Sequence, residues 1–137
     1  MMRFFVSLVV SVMLAGCSTG PKLTDFPQAP SQNQIASANY GEIPANYKEQ
    51  IVKYASSKLL DPYSAKIEIG TPYKAYSQDN VAGGGLVRFG WAVPVMINAK
   101  NSYGGYTGYQ PSRFIFDHGT MYDVTLIYGL GHLVEVK

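Results

Sequence analysis

The chain runs through four hydrophobic rhythms in succession, and each predicts a different element. Residues 4–14 are apolar except for Ser7 and Ser11 and close on Ala15 and Gly16, with a single positive residue, Arg3, ahead of them. Residues 18–40 scatter Pro21, Pro27 and Pro30 among Gln, Asn and Ser with few apolar anchors. Residues 44–60 place Tyr47, Ile51, Tyr54, Ala55, Lys58 and Leu59 three and four apart, which lays one stripe along a helix. Beyond Pro62 the period falls to two.

The helix is expected to begin near Pro44, or at Asn46 acting as a cap with Glu49 as its reciprocal partner. It stops before Pro62, which disfavours helical geometry at Asp61, and residues 61–64 read as a turn or short helical twist. Residues 65–76 read as a strand broken by Gly70 and Pro72, with a bulge or kink. Residues 86–98 are the strongest strand, with Val87, Phe89, Trp91, Val93, Val95 and Ile97 alternating onto one face. Pro94 lacks a ladder donor, so this strand is expected to lie at an edge or to bulge there. Residues 112–117 and 120–128 make two further strands around Asp117-His118-Gly119, a connection with hairpin chemistry. The tail 129–137 adds a short final strand. One helix followed by consecutive strands predicts an α+β fold, the helix packed on an antiparallel sheet of about four strands.

The apolar run at the start has the three-part layout of a secretory signal. About a dozen residues at roughly 1.5 Å each span about 18 Å, against a hydrocarbon core of about 30 Å, so the run is too short for a transmembrane helix. Its last residues, Leu14-Ala15-Gly16-Cys17, resemble the lipobox of bacterial lipoproteins at every position. That resemblance implies that residues 1–16 are a signal peptide. It also implies that the Cys17 thiol takes a diacylglycerol, and that the chain is cut before Cys17 and usually acylated there, with palmitate-like chains holding it in the membrane. Cys17 is the single cysteine of 137 residues, so an intrachain disulfide is impossible. Ser18 stands where inner-membrane lipoproteins of well-studied Gram-negative systems carry Asp. An outer-membrane address, with the domain facing the periplasm, follows from the resemblance.

Three regions result: a signal over 1–16, a lipidated flexible tether over 17–40 and a single domain over 41–137. The tether composition cannot offset its ordering entropy, and as a random coil it would reach roughly 25 to 30 Å. Formal charge is +2 and falls by one unit when Arg3 is removed, so no strong field for nucleic acid exists. The mature chain of roughly 120 residues is long enough to bury one core without disulfides or metals.

The most unusual stretch is residues 98–111, where Tyr103, Tyr106 and Tyr109 alternate with three glycines. The run Asn-Ala-Lys-Asn-Ser-Tyr-Gly-Gly-Tyr beginning at Asn98, with the upstream residues 59–67, resembles a family of small, uncharacterised proteobacterial proteins. The resemblance covers about half the chain and assigns no activity. Two readings stand for the loop. Asn101, Tyr103, Tyr106 and Tyr109 form a binding surface for a glycan or a protein partner, or the glycines satisfy turn geometry and the tyrosines cover the end of the core.

Catalytic chemistry is thin. His118 and His132 show no metal-ligand spacing, no nucleophile elbow is present, and Gly83-Gly84-Gly85 lacks the Lys-Ser or Lys-Thr of a phosphate cradle and reads as a hairpin loop. Asp61, Glu68, Asp117 and Asp123 carry no pairing signal. The reading is a non-catalytic envelope lipoprotein without cofactor or metal. Its partner is a protein complex of the envelope or peptidoglycan, with a small hydrolase or hydrolase inhibitor as the weakest alternative.

Overall fold

The computed structural model describes residues 27–125 and 132–137. The signal, the lipobox with Cys17 and the first part of the expected tether lie outside the described residues, as do residues 126–128 of the expected fourth strand. The architecture is an open antiparallel sheet of six strands with few helices: α1 (Gln32–Ser37), α2 (Tyr47–Lys58), β1 (Lys66–Ile69), β2 (Tyr73–Gln78), β3 (Val87–Asn98), β4 (Gln110–Asp117), β5 (Thr120–Asp123) and β6 (His132–Glu135). The strand order is β5-β4-β3-β2-β6, with β1 also paired to β3. The expected sheet of about four strands is therefore corrected to six. The segment over 65–76 is two strands rather than one, and the tail adds β6 beside β2.

The break between β1 and β2 explains how a proline fits in the central strand. Ile69 pairs with Val95 and Tyr73 with Ala92, so residues 70–72 stand opposite only 93 and 94, which is a bulge of one residue. The Pro94 carbonyl points to that side and accepts from the Gly70 N–H at 2.8 Å. The N–H that Pro94 lacks would point the same way, into the interrupted ladder. Towards β4, Pro94 pairs with Arg113 without loss. Pro94 thus occupies a central strand, and the bulge that accommodates it lies on β3's neighbour.

The alternation in β3 holds. Val93 and Val95 face α2 and close on Ile51, Phe114 and Phe116, all essentially inaccessible to solvent. Each such side chain contributes about 2 kcal/mol by leaving water. Tyr47 and Tyr54 of α2 meet Phe116 and Phe114 edge to face, with centroids 6.2 and 5.7 Å apart. The helix begins three residues later than Pro44. Asn46 is its cap residue but makes no capping bond, its side chain accepting from Gln50 Nε2 at 2.8 Å instead. The expected reciprocal pair with Glu49 is replaced by this contact one turn along. Asp61 caps the 3-10 turn Pro62–Ser64.

The β4–β5 hairpin follows its sequence signal. Asp117 pairs with Thr120, and both intervening residues, His118 and Gly119, have positive φ, the requirement of a type I′ turn. Gly90 in β3 is required for a different reason: a Cβ there would lie 2.1 Å from the Phe116 carbonyl oxygen.

Residues 27–40, expected as flexible tether, lie against the sheet. Ser31 and Gln34 form a capping box that starts α1. Pro27 seats on Gly85, the buried Gln78 donates to the Gln28 carbonyl at 2.9 Å, and Tyr40 packs edge to face on Phe89. Trp91 donates to the Gly41 carbonyl at 3.0 Å. The composition concealed this because the contacts are few and their partners stand 50 residues away along the chain.

Candidate functional site

The loop joining β3 to β4 is a hairpin extension with its own hydrogen bonds. Thr107 N–H donates to the Ala99 carbonyl at 3.1 Å, Lys100 and Tyr106 form a bridge, and Asn101 N–H donates to the Gly105 carbonyl at 2.8 Å. The Asn101 side-chain oxygen accepts from the N–H groups of Tyr103 and Gly105 at 3.0 and 3.1 Å. Asn101 therefore shapes the turn. It was expected as a binding residue, and its carbonyl oxygen is spent on the loop's own backbone.

The three tyrosines separate in role. Tyr103 is at the tip and 95% exposed, with its ring free of aromatic or cationic neighbours among the described residues. The Tyr106 hydroxyl donates to the Ser64 carbonyl at 2.9 Å, and the ammonium groups of Lys66 and Lys100 lie 5.1 and 5.6 Å from its ring centroid. The Tyr109 pKa is raised by the neighbouring Glu68 carboxylate as an acceptor for its hydroxyl, then by desolvation and by the Glu68 charge.

The bond from Tyr106 to Ser64 draws the 3-10 turn against the hairpin, and with it two exposed apolar residues. Leu60 is 79% exposed and Tyr63 wholly so, and Met96, Tyr106 and Tyr109 are partly exposed. One end of the molecule therefore combines aromatic and aliphatic surface with Lys66 and Lys100. Sequence reasoning found the tyrosines but missed Leu60 and Tyr63, because nothing local ties residues 60–64 to residue 106.

Behind the same hairpin, on the side covered by α2, is a cavity of about 270 Å³ reached by Tyr54, Lys58, Leu59, Ile97, Phe114 and Asp123. The Tyr54 pKa is raised by burial and by the adjacent Asp123, through its charge and as a hydrogen-bond acceptor.

Both histidines and one further ion pair are engaged locally. His118 bonds Asp117 in the β4–β5 turn, and His132 meets the Tyr76 ring edge at 6.0 Å. Asp79 binds Arg88 at 2.8 Å, and the Arg88 guanidinium also lies 4.5 Å from the Tyr122 ring. Among the described residues no group of three His, Cys, Asp or Glu side chains is placed to hold a metal, and no helix is long and apolar enough to cross a membrane. Gly83-Gly84-Gly85 ends the 3-10 turn Val81–Gly83 between β2 and β3, where Asn80 caps the turn. Compared with models of known families, with curated proteins and with solved structures, the chain matches none.

Proposed function

We propose that this protein is a lipid-anchored, non-catalytic binding domain of the bacterial envelope, held in the outer membrane through Cys17 and docking on an envelope protein complex through the hairpin end. The observation that carries the reading is the placement of the exposed patch relative to the chain's entry. Pro27, the first described residue after the lipobox region, seats on Gly85 at the start of β3. The patch around Tyr106 is at the other end of β3, and the 12 residues of that strand span roughly 36 Å. A domain tethered from the Pro27 side would present its aromatic and lysine-bearing surface at the opposite pole, away from the membrane. Tyrosine suits such a surface because it offers flat apolar area and a hydroxyl with few rotatable bonds.

The test has two parts. Replacing Cys17 by serine is expected to move the protein from the membrane to the soluble fraction with the domain still folded. Photo-crosslinkers placed singly at Tyr103, Tyr63 and Leu86 in intact envelopes are expected to yield one discrete protein adduct from the first two sites and none from Leu86. Equal labelling from both poles, or none from either, would sink the docking reading.

A second reading is favoured by the exposure of Tyr103 and Tyr63: two aromatic faces open to solvent can stack on sugar rings of peptidoglycan. Sedimentation with purified sacculi that is lost in Tyr103→Ala and Tyr63→Ala, with no protein adduct, would select it.

A further inference from the structure

The side of the sheet that faces α2 is left unfinished at one end. Along β4 the residues on that side are Gln110, Ser112, Phe114 and Phe116, so the two aromatic residues that close the core give way to two polar ones. α2 ends at Lys58, level with this change. The gap between them is the cavity of about 270 Å³, with Phe114 and Ile97 as its apolar floor and Lys58 and Asp123 among its walls.

The two charges are not neutralised by one another. Among the described residues the ion pairs within 4.0 Å are Arg88 with Asp79 and His118 with Asp117. The Lys58 ammonium rests 5.3 Å from the Tyr54 ring centroid. Asp123 accepts the Thr125 N–H at 2.9 Å and faces the Tyr54 hydroxyl, which leaves carboxylate acceptor capacity for a further donor.

We propose that this cavity binds an amino acid or dipeptide with an apolar side chain by both of its charged ends. The ligand carboxylate meets Lys58, its ammonium meets Asp123, and its side chain lies on Phe114 and Ile97. Gln110 and Ser112 remain for a peptide group. Size and charge both select this class. Pockets that enclose drug-sized molecules begin near about 300 Å³, so this one suits something smaller. A lone anion would meet the Asp123 carboxylate and a lone cation the Lys58 ammonium, whereas a zwitterion satisfies both. The inference does not depend on docking at the hairpin end.

The experiment is calorimetric titration of the purified full-length protein with leucine and leucyl-leucine, beside N-acetylleucine and leucinamide, in which one charge is blocked. At least one zwitterion is expected to bind saturably, and each blocked form to bind roughly tenfold more weakly or worse. Lys58→Gln should abolish the preference for leucine over leucinamide, and Asp123→Asn the preference over N-acetylleucine. Both side chains are exposed and Asn keeps an acceptor for Thr125, so unfolding midpoints should stay put. Ser112→Leu, which fills the cavity from β4, should remove binding altogether. Failure of both zwitterions to bind at millimolar concentration overturns the proposal, as does equal binding of the blocked forms or preferences that survive in both charge variants.

Discussion

The Tyr106 hydroxyl donates to the Ser64 carbonyl at 2.9 Å, across 42 positions of sequence, and so fastens the β3–β4 hairpin to the turn that follows α2. The bond is exposed, and its stabilising contribution is at the lower end of the usual range, about 0.5 to 1 kcal/mol. Tyr106→Phe is expected to lower unfolding free energy by that amount in denaturant titration. It should also speed amide exchange at Asn101, Gly105 and Thr107 while leaving β3 and β4 protected. Tyr106→Ala removes in addition the ring between Lys66 and Lys100 and should cost more.

Two glycines separate close approach from backbone conformation. Gly90→Ala forces a Cβ to within 2.1 Å of the Phe116 carbonyl oxygen and must part β3 from β4, a loss of about 3 kcal/mol or more. Gly104→Ala meets nothing within 4 Å but places alanine at φ +80°, costing about 1 to 2 kcal/mol. Thermal or denaturant unfolding should rank the two in that order, and a reversal would mean that the strands relax around residue 90.

Removing residues 27–40 should destabilise the domain. Buried Gln78 loses the Gln28 carbonyl, a deficit of about 1 to 3 kcal/mol by itself, and Phe89 loses the Tyr40 ring. Trp91 is the single tryptophan and donates to Gly41 at the boundary of the deletion, so its emission should shift to the red. A deletion within about 0.5 kcal/mol of the parent, with unchanged emission, would show that these residues act as a free tether.

Three tyrosines make stability fall in alkali. Tyr40 is raised by burial, Tyr54 by burial and Asp123, and Tyr109 by the neighbouring Glu68 carboxylate, each from an ordinary value of 10.0. A raised folded-state pKa means that the folded protein holds the proton more tightly than the unfolded chain. Their contribution is intact below pH 10.0 and is lost as pH rises from there through the folded values. Ultraviolet titration of phenolate should show a group of tyrosines ionising late in the native protein and together with the rest after unfolding. In Asp123→Asn, Tyr54 should move back towards the ordinary value.

Much of the local structure was legible in the residues alone because it depends on near neighbours. The three- and four-residue spacing from Tyr47 to Leu59 specifies α2, and strict alternation from Val87 to Ile97 specifies β3 and the side of it that enters the core. Asp117-His118-Gly119 specifies a hairpin because its two central residues accept positive φ. The candidate tyrosines were visible as a composition.

What only the tertiary structure decided are relationships between distant positions. Pro94 occupies the central strand because the bulge at 70–72 lies on its neighbour, and β6 closes beside β2 rather than beside β5. Asn101 shapes its own turn, Tyr106 is bound to Ser64, and Tyr103 remains open to solvent. The stretch over 27–40 reads as tether, yet its capping box and contacts with Gln78, Gly85 and Phe89 hold it on the sheet. Periodicity records which face of an element is apolar, a property of residues two to four apart. Strand order, register across a bulge and the partner of a single hydroxyl depend on which distant groups are brought within about 3 Å of one another, and only the folded chain determines that.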